Sequence, residues 1–386
     1  MSLSSSSLPT DLLLEITARS DPVTLVRSAA TCKILRSHIA DPAFHPRLRL
    51  RHADQFVPRL FRGFFVQNLR AEADEHPRFV DPFHSVTGPS PEPFRSFLSE
   101  FVTLFHFYRP DLAASRGLVA LGTDSTQGGV CVFDPMTGYM HVFGPPPEMN
   151  AQSFALLTGD GHGYYRLLAA ELAHDRLKTQ AFSAEVDRWQ SVAETTVAPC
   201  PRDAALLHRP LVIQGDVHWL CRSSEYHFLL RFSPAHAAAS VTKVDGGCGE
   251  QLLGRGPGEI LLVSDGGSGR QPRLLVAAGL QISLWTLSDS GEGWSVQVLV
   301  EPERIRGPPE AWSERLELRW FGEKSGLVFL RMLGAEESSR SSFLALDLAT
   351  TKVRGVCTSP HMDMLFFPYE MDISFWRPRF TRQLQE

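Results

Sequence analysis

The sequence predicts an α+β multi-domain chain, in which a small all-α N-terminal unit precedes an all-β, propeller-like body. Three observations carry that prediction. Within the first fifty residues apolar side chains recur at helical spacing behind two Asp-Pro starts. From about residue 112 helical periodicity gives way to short apolar runs bounded by Gly, Pro, Asp and Ser. Those runs then repeat with a period near ~50 residues. A curved antiparallel β-sandwich is the alternative arrangement of the same strands.

The helical unit begins with LPTDLLLEITARS, where Leu12, Leu13 and Ile16 share a helical face, Pro9 suits a first turn and Asp11 favours the helix dipole. Asp21-Pro22 starts a second segment carrying Leu25, Val26, Ala29, Ala30 and Cys32. A third holds Ile34, Leu35 and Ile39, and Asp41-Pro42 repeats the start signal before Phe44. So short a unit buries too little surface to be stable alone. Its apolar face needs the rest of the chain or another protein, which leaves a helical cap on the body as one reading and a docking module as the other.

Residues 53–111 read as a phenylalanine-rich connector broken by Pro77, Pro82, Pro89, Pro91 and Pro93. With the helical unit placed at 5–52, the body occupies 112–386. Its repeat unit is a glycine, a strand-like run, a polar gap and a second apolar strand, with starts at Gly117, Gly163, Gly215, Gly258 and Gly326. Aligning the large apolar residue of the second strand gives Phe133, Phe182, Phe232, Trp285 and Leu346, in steps of 49, 50, 53 and 61 residues. The last stretch has room for five or six blades, each covering its neighbours' faces. The glycine-rich DGGSGRQPR at 265–273 reads as a surface loop stretching the fourth unit.

Composition bounds the function. With 43% hydrophobic and 21% charged residues and a net charge of −5, the chain of 386 residues is globular rather than disordered. No stretch approaches the ~20 apolar residues of a membrane helix. Asp11 and Glu15 interrupt the first apolar run, and no basic segment precedes it, so it does not read as a secretory signal. The expected location is the cytoplasm, the nucleus or both. Six cysteines without a CxxC pair read as reduced, mostly buried thiols. Arg47, Arg49, Arg51, His52, Arg59 and Arg62 form a basic run, yet no aromatic platform is interleaved before Phe56, which argues against nucleic acid.

No catalytic constellation stands out, so no catalytic residue, metal or cofactor is assigned. Gly322-Glu323-Lys324-Ser325 lacks the adjacent Gly-Lys pair and upstream glycine of a phosphate loop and reads as a turn. The glycines of 246–259 are followed by Pro257 where a dinucleotide site would open a helix. No Gly-x-Ser-x-Gly elbow occurs. His162, His174, His208, His218 and His227 lack zinc-site spacing, and His218 reads as a surface or rim histidine facing away from Trp219. The carboxylates Glu336-Glu337 read as a solvated turn, and the seven tryptophans as blade packing.

Taken in order, LPTDLLLEI, DPVTLVRSAATCKILRSHI and DPAFHPRL resemble an F-box, with Leu35 at a position where many F-boxes carry tryptophan. The resemblance implies docking onto a Skp-type adaptor of a cullin-RING ubiquitin ligase, through Leu8, Pro9, Leu12, Leu13, Ile16, Leu25, Val26, Cys32, Lys33, Leu35 and Ile39. In the body SRGLVAL, VCVFDPMTGYMHVFGPPP, VIQGDVHWL, GEKSGLVFL, LALDLATTKV and FFPYEMDISFW resemble the F-box-associated β-repeat domain of plant F-box proteins, the grass members in particular. That likeness implies a non-catalytic subunit whose body recruits a target protein. Two other readings stay open: a kelch-like propeller enzyme or sugar-binding lectin capped by the helices, and a basic DNA-associated regulator.

Overall fold

The structure is a computed structural model that describes residues 9–18, 28–29, 31–39, 41–44, 56, 60–68, 78–80, 107–115, 117–123, 129–134, 139–158, 165–244, 252, 254–265, 271–288, 293–305, 312–334, 341–359 and 364–370. Of the expected docking residues, Leu8, Leu25 and Val26 lie outside these, as do Asp21-Pro22 and the basic run apart from Arg62.

Helix α1 (Thr10–Ala18) starts as its sequence asks, with Pro9 O accepting from Leu13 N at 3.1 Å and Asp11 in the first turn. Helix α2 (Lys33–Ile39) opens with Cys32 O accepting from Arg36 N at 2.9 Å, and Arg36 Nε donates to Ala29 O at 2.9 Å. Past α2 the side chain of Asp41 accepts from Ala43 N at 2.8 Å and opens a 3-10 turn at Pro42–Phe44, the work its Asp-Pro signal announced. Leu14, Ala18, Ala29, Ile39 and Phe44 form the unit's core, and Leu60, from the chain leading into the body, completes it.

The body is a five-bladed all-β propeller. The blades are β3–β6 (Phe107–Ser115, Leu118–Thr123, Val130–Asp134, Tyr139–Phe143), β7–β11 (Ser153–Thr158, Tyr165–Ala173, Arg176–Ser183, Arg188–Trp189, Ala193–Thr196), β12–β15 (Ala205–Ile213, Asp216–Arg222, His227–Ser233, Ala238–Lys243), β16–β19 (Ile260–Ser264, Pro272–Ala278, Gln281–Leu287, Trp294–Val300) and β20–β23 (Trp312–Phe321, Leu327–Gly334, Ser341–Asp347, Lys352–Ser359). All pair antiparallel in sequence order, and in the second blade the outer position is shared by β10 and β11, both against β9. Phe133, Phe182, Phe232, Trp285 and Leu346 all fall on third strands, so the repeat read from the sequence has the right phase. Gly117, Gly215 and Gly326 turn between first and second strands with positive φ of 82°, 88° and 68°, which explains why glycine opens the unit. Gly258 does not: it precedes β16, the first strand of the fourth blade, whose second strand starts only at Pro272.

Apolar clusters fill the gaps between blades. Leu156, Leu167 and Phe182 meet Ala120 and Val132 between blades 1 and 2, and Trp219, Phe228 and Leu230 meet Leu168 and Leu177 between 2 and 3. The largest cluster runs from Leu220 and Leu229 through Trp285 to Leu316 and Leu330. Trp219 is fully buried and its Nε1 donates to Ser153 Oγ at 3.0 Å, across a blade gap. This radial packing replaces the sandwich alternative.

A three-stranded sheet completes the body. Strands β1 (Phe61–Asn68) and β2 (Arg78–Val80), from the stretch expected to be a connector, pair with β24 (Met364–Glu370) in the order β2-β1-β24. Phe64-Phe65-Val66 is a β-forming run, and Pro368 is tolerated in β24 at its pairing with Phe64. The sheet lies between blades 5 and 1: Phe61 packs with Trp320, Leu327 and Phe343 of blade 5, while β24 lies along β3.

Candidate functional site

The helical unit separates its apolar residues into two faces. Leu14 and Ala18, one turn apart, are buried in the unit's core, whereas Leu12 and Ile16, also one turn apart, are 50% and 54% exposed. Leu13 is half-buried between the two faces. On α2, Ile34 is 61% exposed, Lys33 is exposed, and Cys32 and Leu35 are half-buried, Leu35 packing on the core. Pro9 is exposed. Ile39, expected on the docking face, is instead 1% exposed within the unit's core, because α2 turns that side chain toward Leu14 and Phe44. Ile34, which the sequence reading did not place on the docking face, is the most exposed of the large apolar side chains named here.

This unit is anchored through the turn 322–326 of blade 5. Gly326 N donates to Gly322 O at 2.9 Å and Gly322 N to Leu327 O at 2.8 Å, which closes the turn. The backbone N–H groups inside it point at one carboxylate: Lys324 N donates to Glu370 Oε1 and Oε2 at 3.1 and 3.0 Å, and Ser325 N donates to Oε1. The Gly-Glu-Lys-Ser stretch therefore does bind an anion through backbone amides, but that anion is the chain's own Glu370 on the last described strand. Burial pushes the Glu370 carboxyl up, against the hydrogen bonds of Ser325 and Lys324, which favour its charged form. A Cβ at Gly322 would lie 2.7 Å from Glu370 Oε1 and 2.8 Å from Trp320 Cη2.

The other side of the turn receives Phe56. Its ring sits edge-on to Phe321 at 6.0 Å and fills the space where a Cβ on Gly326 would be. Phe61 meets Trp320 at 5.5 Å. Phe56 and Phe61 thus bracket Leu60, so the same short stretch completes the helical core and seats on blade 5. A cavity of about 20 Å³ between Leu118, Trp320, Tyr369 and Glu370 has room for one water and is far below the ~300 Å³ of an organic ligand site.

In the body the described residues contain no group of three or more His, Cys, Asp or Glu able to hold a metal. His218, expected at the surface, is 7% exposed, and His227 is 1% exposed. Burial lowers each to about 4, with Arg231 adding to the shift at His218 and Arg222 at His227. Cys131 and Cys221 are buried free thiols, the former pushed up to about 12 by burial. At the junction of blades 1 and 2, His141 Nε2 meets Asp187 Oδ1 at 2.9 Å and its Nδ1 meets Tyr165 Oη at 2.9 Å. Tyr165 is 2% exposed, so this chain of groups runs from a buried hydroxyl to the exposed carboxylate of Asp187 and fastens β6 to blade 2.

Short helices that present an apolar face, joined to a propeller, define the class: a protein with an F-box-like N-terminus and a propeller body, and the F-box-like family model matches residues 5–51. The chain belongs to the family described as Domain of unknown function (DUF7595), whose model matches residues 108–364. No curated protein matches it. Among solved structures it is similar to a luciferin-regenerating enzyme (8% identity over 66% of this chain and 76% of that one, TM-score 0.37). A protein from Lactobacillus plantarum shares 9% identity over 77% of this chain and 82% of its own, with a TM-score of 0.40. YCF48 bound to D1 peptide shares 10% over 78% and 82%, with a TM-score of 0.37. At such values these likenesses say nothing of this chain's function.

Proposed function

We propose that this chain is a non-catalytic substrate-recognition subunit of a Skp-cullin-F-box ubiquitin ligase, acting in the cytoplasm, the nucleus or both. The observation that carries the reading is the split of α1 into a buried Leu14/Ala18 face and an exposed Leu12/Ile16 face. A helix that served only as a cap on the propeller would turn Leu12 and Ile16 into the body. A helix that docks a partner leaves them outward, as they are. Pro9, Leu12, Leu13 and Ile16, with Cys32, Lys33 and Leu35 on α2, supply the adaptor contact together with Leu8, Leu25 and Val26, and Ile39 supports it from beneath. The mechanism is proximity: the helices fix the chain to the ligase core, while the propeller holds a target protein at high effective concentration near the ubiquitin carrier. The body's resemblance to plant F-box-associated domains supports this assignment of the target to the propeller.

The test is adaptor binding by the full chain. Leu12→Asp/Ile16→Asp is expected to weaken binding to a purified Skp-type adaptor by at least about 100-fold, since two half-exposed apolar anchors are replaced by charge. Circular dichroism and the melting temperature should stay at the wild-type values, because neither side chain is in the core. Wild-type protein that is folded yet does not bind the adaptor overturns the reading.

A further inference from the structure

We infer that the helical unit and the sheet β2-β1-β24 open and close as one cooperative element, and that this element is the clasp of the propeller ring. Each of the five blades is built from strands that follow one another along the chain, so none of them joins its two ends. Among the described strands only β1 and β24 do so. They pair from Phe61 opposite Glu370 to Asn68 opposite Met364, and their sheet stands between blades 5 and 1. The ring is thus shut by one pairing of distant segments.

A circuit of contacts binds the helical unit into that pairing. Leu60, 1% exposed, belongs to the helical core with Leu14, Ala18, Ala29, Ile39 and Phe44. Its neighbour Phe61 is the first residue of β1 and is buried against Trp320 and Leu327 of blade 5. Phe61 lies opposite Glu370, whose carboxylate accepts from Lys324 N and Ser325 N in the blade 5 turn. The same turn carries Phe56 over Gly326, which returns the path to the segment it left.

Neither part can be released alone. Leu60 and Phe61 share one peptide bond, whose Cα atoms are held about 3.8 Å apart, so lifting Phe61 off Glu370 draws Leu60 out of the helical core. The helices have no other support of this size: α1 and α2 span nine and seven residues, too short to persist without packing. Losing them in turn uncovers Leu60 at the start of β1. By contrast, blades 2 and 3 pack around Trp219 and Phe228, away from this seam. Any partner that binds the folded helical unit therefore also holds the ring shut, and an opened ring weakens that partner's binding by the same factor. The coupling stands whether or not the partner is a Skp-type adaptor.

Amide hydrogen exchange of the full chain, read by mass spectrometry where opening is at equilibrium, tests this. In the wild type, peptides covering α1 and α2 and those covering β1 and β24 are expected to share one opening constant, larger than that of β8, β13 and β14. Leu14→Ala empties the helical core and is expected to raise exchange about 100-fold, at Met364–Glu370 as much as in α1, with β13 and β14 at their wild-type values. Glu370→Ala perturbs the other end and is expected to raise exchange in α1 and α2 by the same factor as in β24. Should Leu14→Ala unfold the helices outright, the sheet is expected to lose its protection with them. A sheet that keeps its protection in Leu14→Ala, or a Glu370→Ala effect confined to β24, overturns the proposal. A rise spread equally through blades 2 and 3 also overturns it, because the clasp would then not be an element of its own.

Discussion

Glu370→Ala is expected to lower the stability of the full chain by about 3 kcal/mol, and Gly326→Val by a similar amount. The first change removes a carboxylate that accepts from two backbone N–H groups, at Lys324 and Ser325. Charge-assisted bonds of this kind contribute about 1.5–3 kcal/mol each, offset in part by the burial that pushes this carboxyl up. Ser325 is fully buried, and Glu370 supplies the acceptor for its N–H. Glu370→Gln keeps one acceptor oxygen and should recover part of the loss. At Gly326 two costs add. A φ of +68° strains any β-branched residue by about 1–3 kcal/mol, and the new Cβ must displace the Phe56 ring. Urea unfolding followed by tryptophan fluorescence measures the loss, since Trp320 lies against Phe61 beside the turn. Limited proteolysis separates the two variants: Gly326→Val should open the chain near Phe56 to cleavage while blades 1 to 4 stay protected. A loss below about 0.5 kcal/mol in both would mean that the turn does not anchor the helical unit.

What the sequence could express was whatever is local. Third strands were legible from Phe133 to Leu346 because a strand alternates side chains every two residues, and the same apolar position recurs in every blade. The closing sheet was not. Its pairing of Phe65 with Phe367 joins residues about three hundred apart, and no local pattern in either segment names the other. The prolines of 77–93 also dominated the reading of a stretch whose Phe64-Phe65-Val66 is a strand. Gly322-Glu323-Lys324-Ser325 was legible as a turn, but its partner Glu370 lies on that same distant strand. In the helical unit, doubled Leu12-Leu13 presents a wide apolar face. Which leucine turns inward depends on Phe44 and Leu60, and the spacing within α1 does not contain them.

The histidines expose the same limit and lead to a measurable consequence. Alternation along Asp216-Val217-His218-Trp219 assigns His218 to the face opposite Trp219, which in an ordinary two-layer sheet would be the wet one. In a propeller both faces of a blade are covered, so His218 is buried with Leu220 on the side that faces blade 4. His227 is buried with both ring nitrogens lacking a hydrogen-bond partner among the described residues. Both side chains are held at about 4, below the ordinary 6.5, so the unfolded chain binds more protons than the folded one between those values. Stability then rises with pH across this window: the full contribution is present above 6.5, and it is lost progressively as pH falls toward 4. Each histidine accounts for about 2 kcal/mol of the loss between pH 7 and pH 5. Denaturation midpoints at pH 7, 6 and 5 are expected to fall accordingly, in a range where most carboxylates are still ionised. His227→Leu removes a buried imidazole that must shed its proton to fold, so its pH slope should be about half that of the wild type, and His218→Leu/His227→Leu should be nearly flat. Arg231 and Asp216, which flank His218 with opposite signs, remain in both variants and keep the local field unchanged. A double variant with the wild-type slope would place the acid sensitivity of this propeller elsewhere.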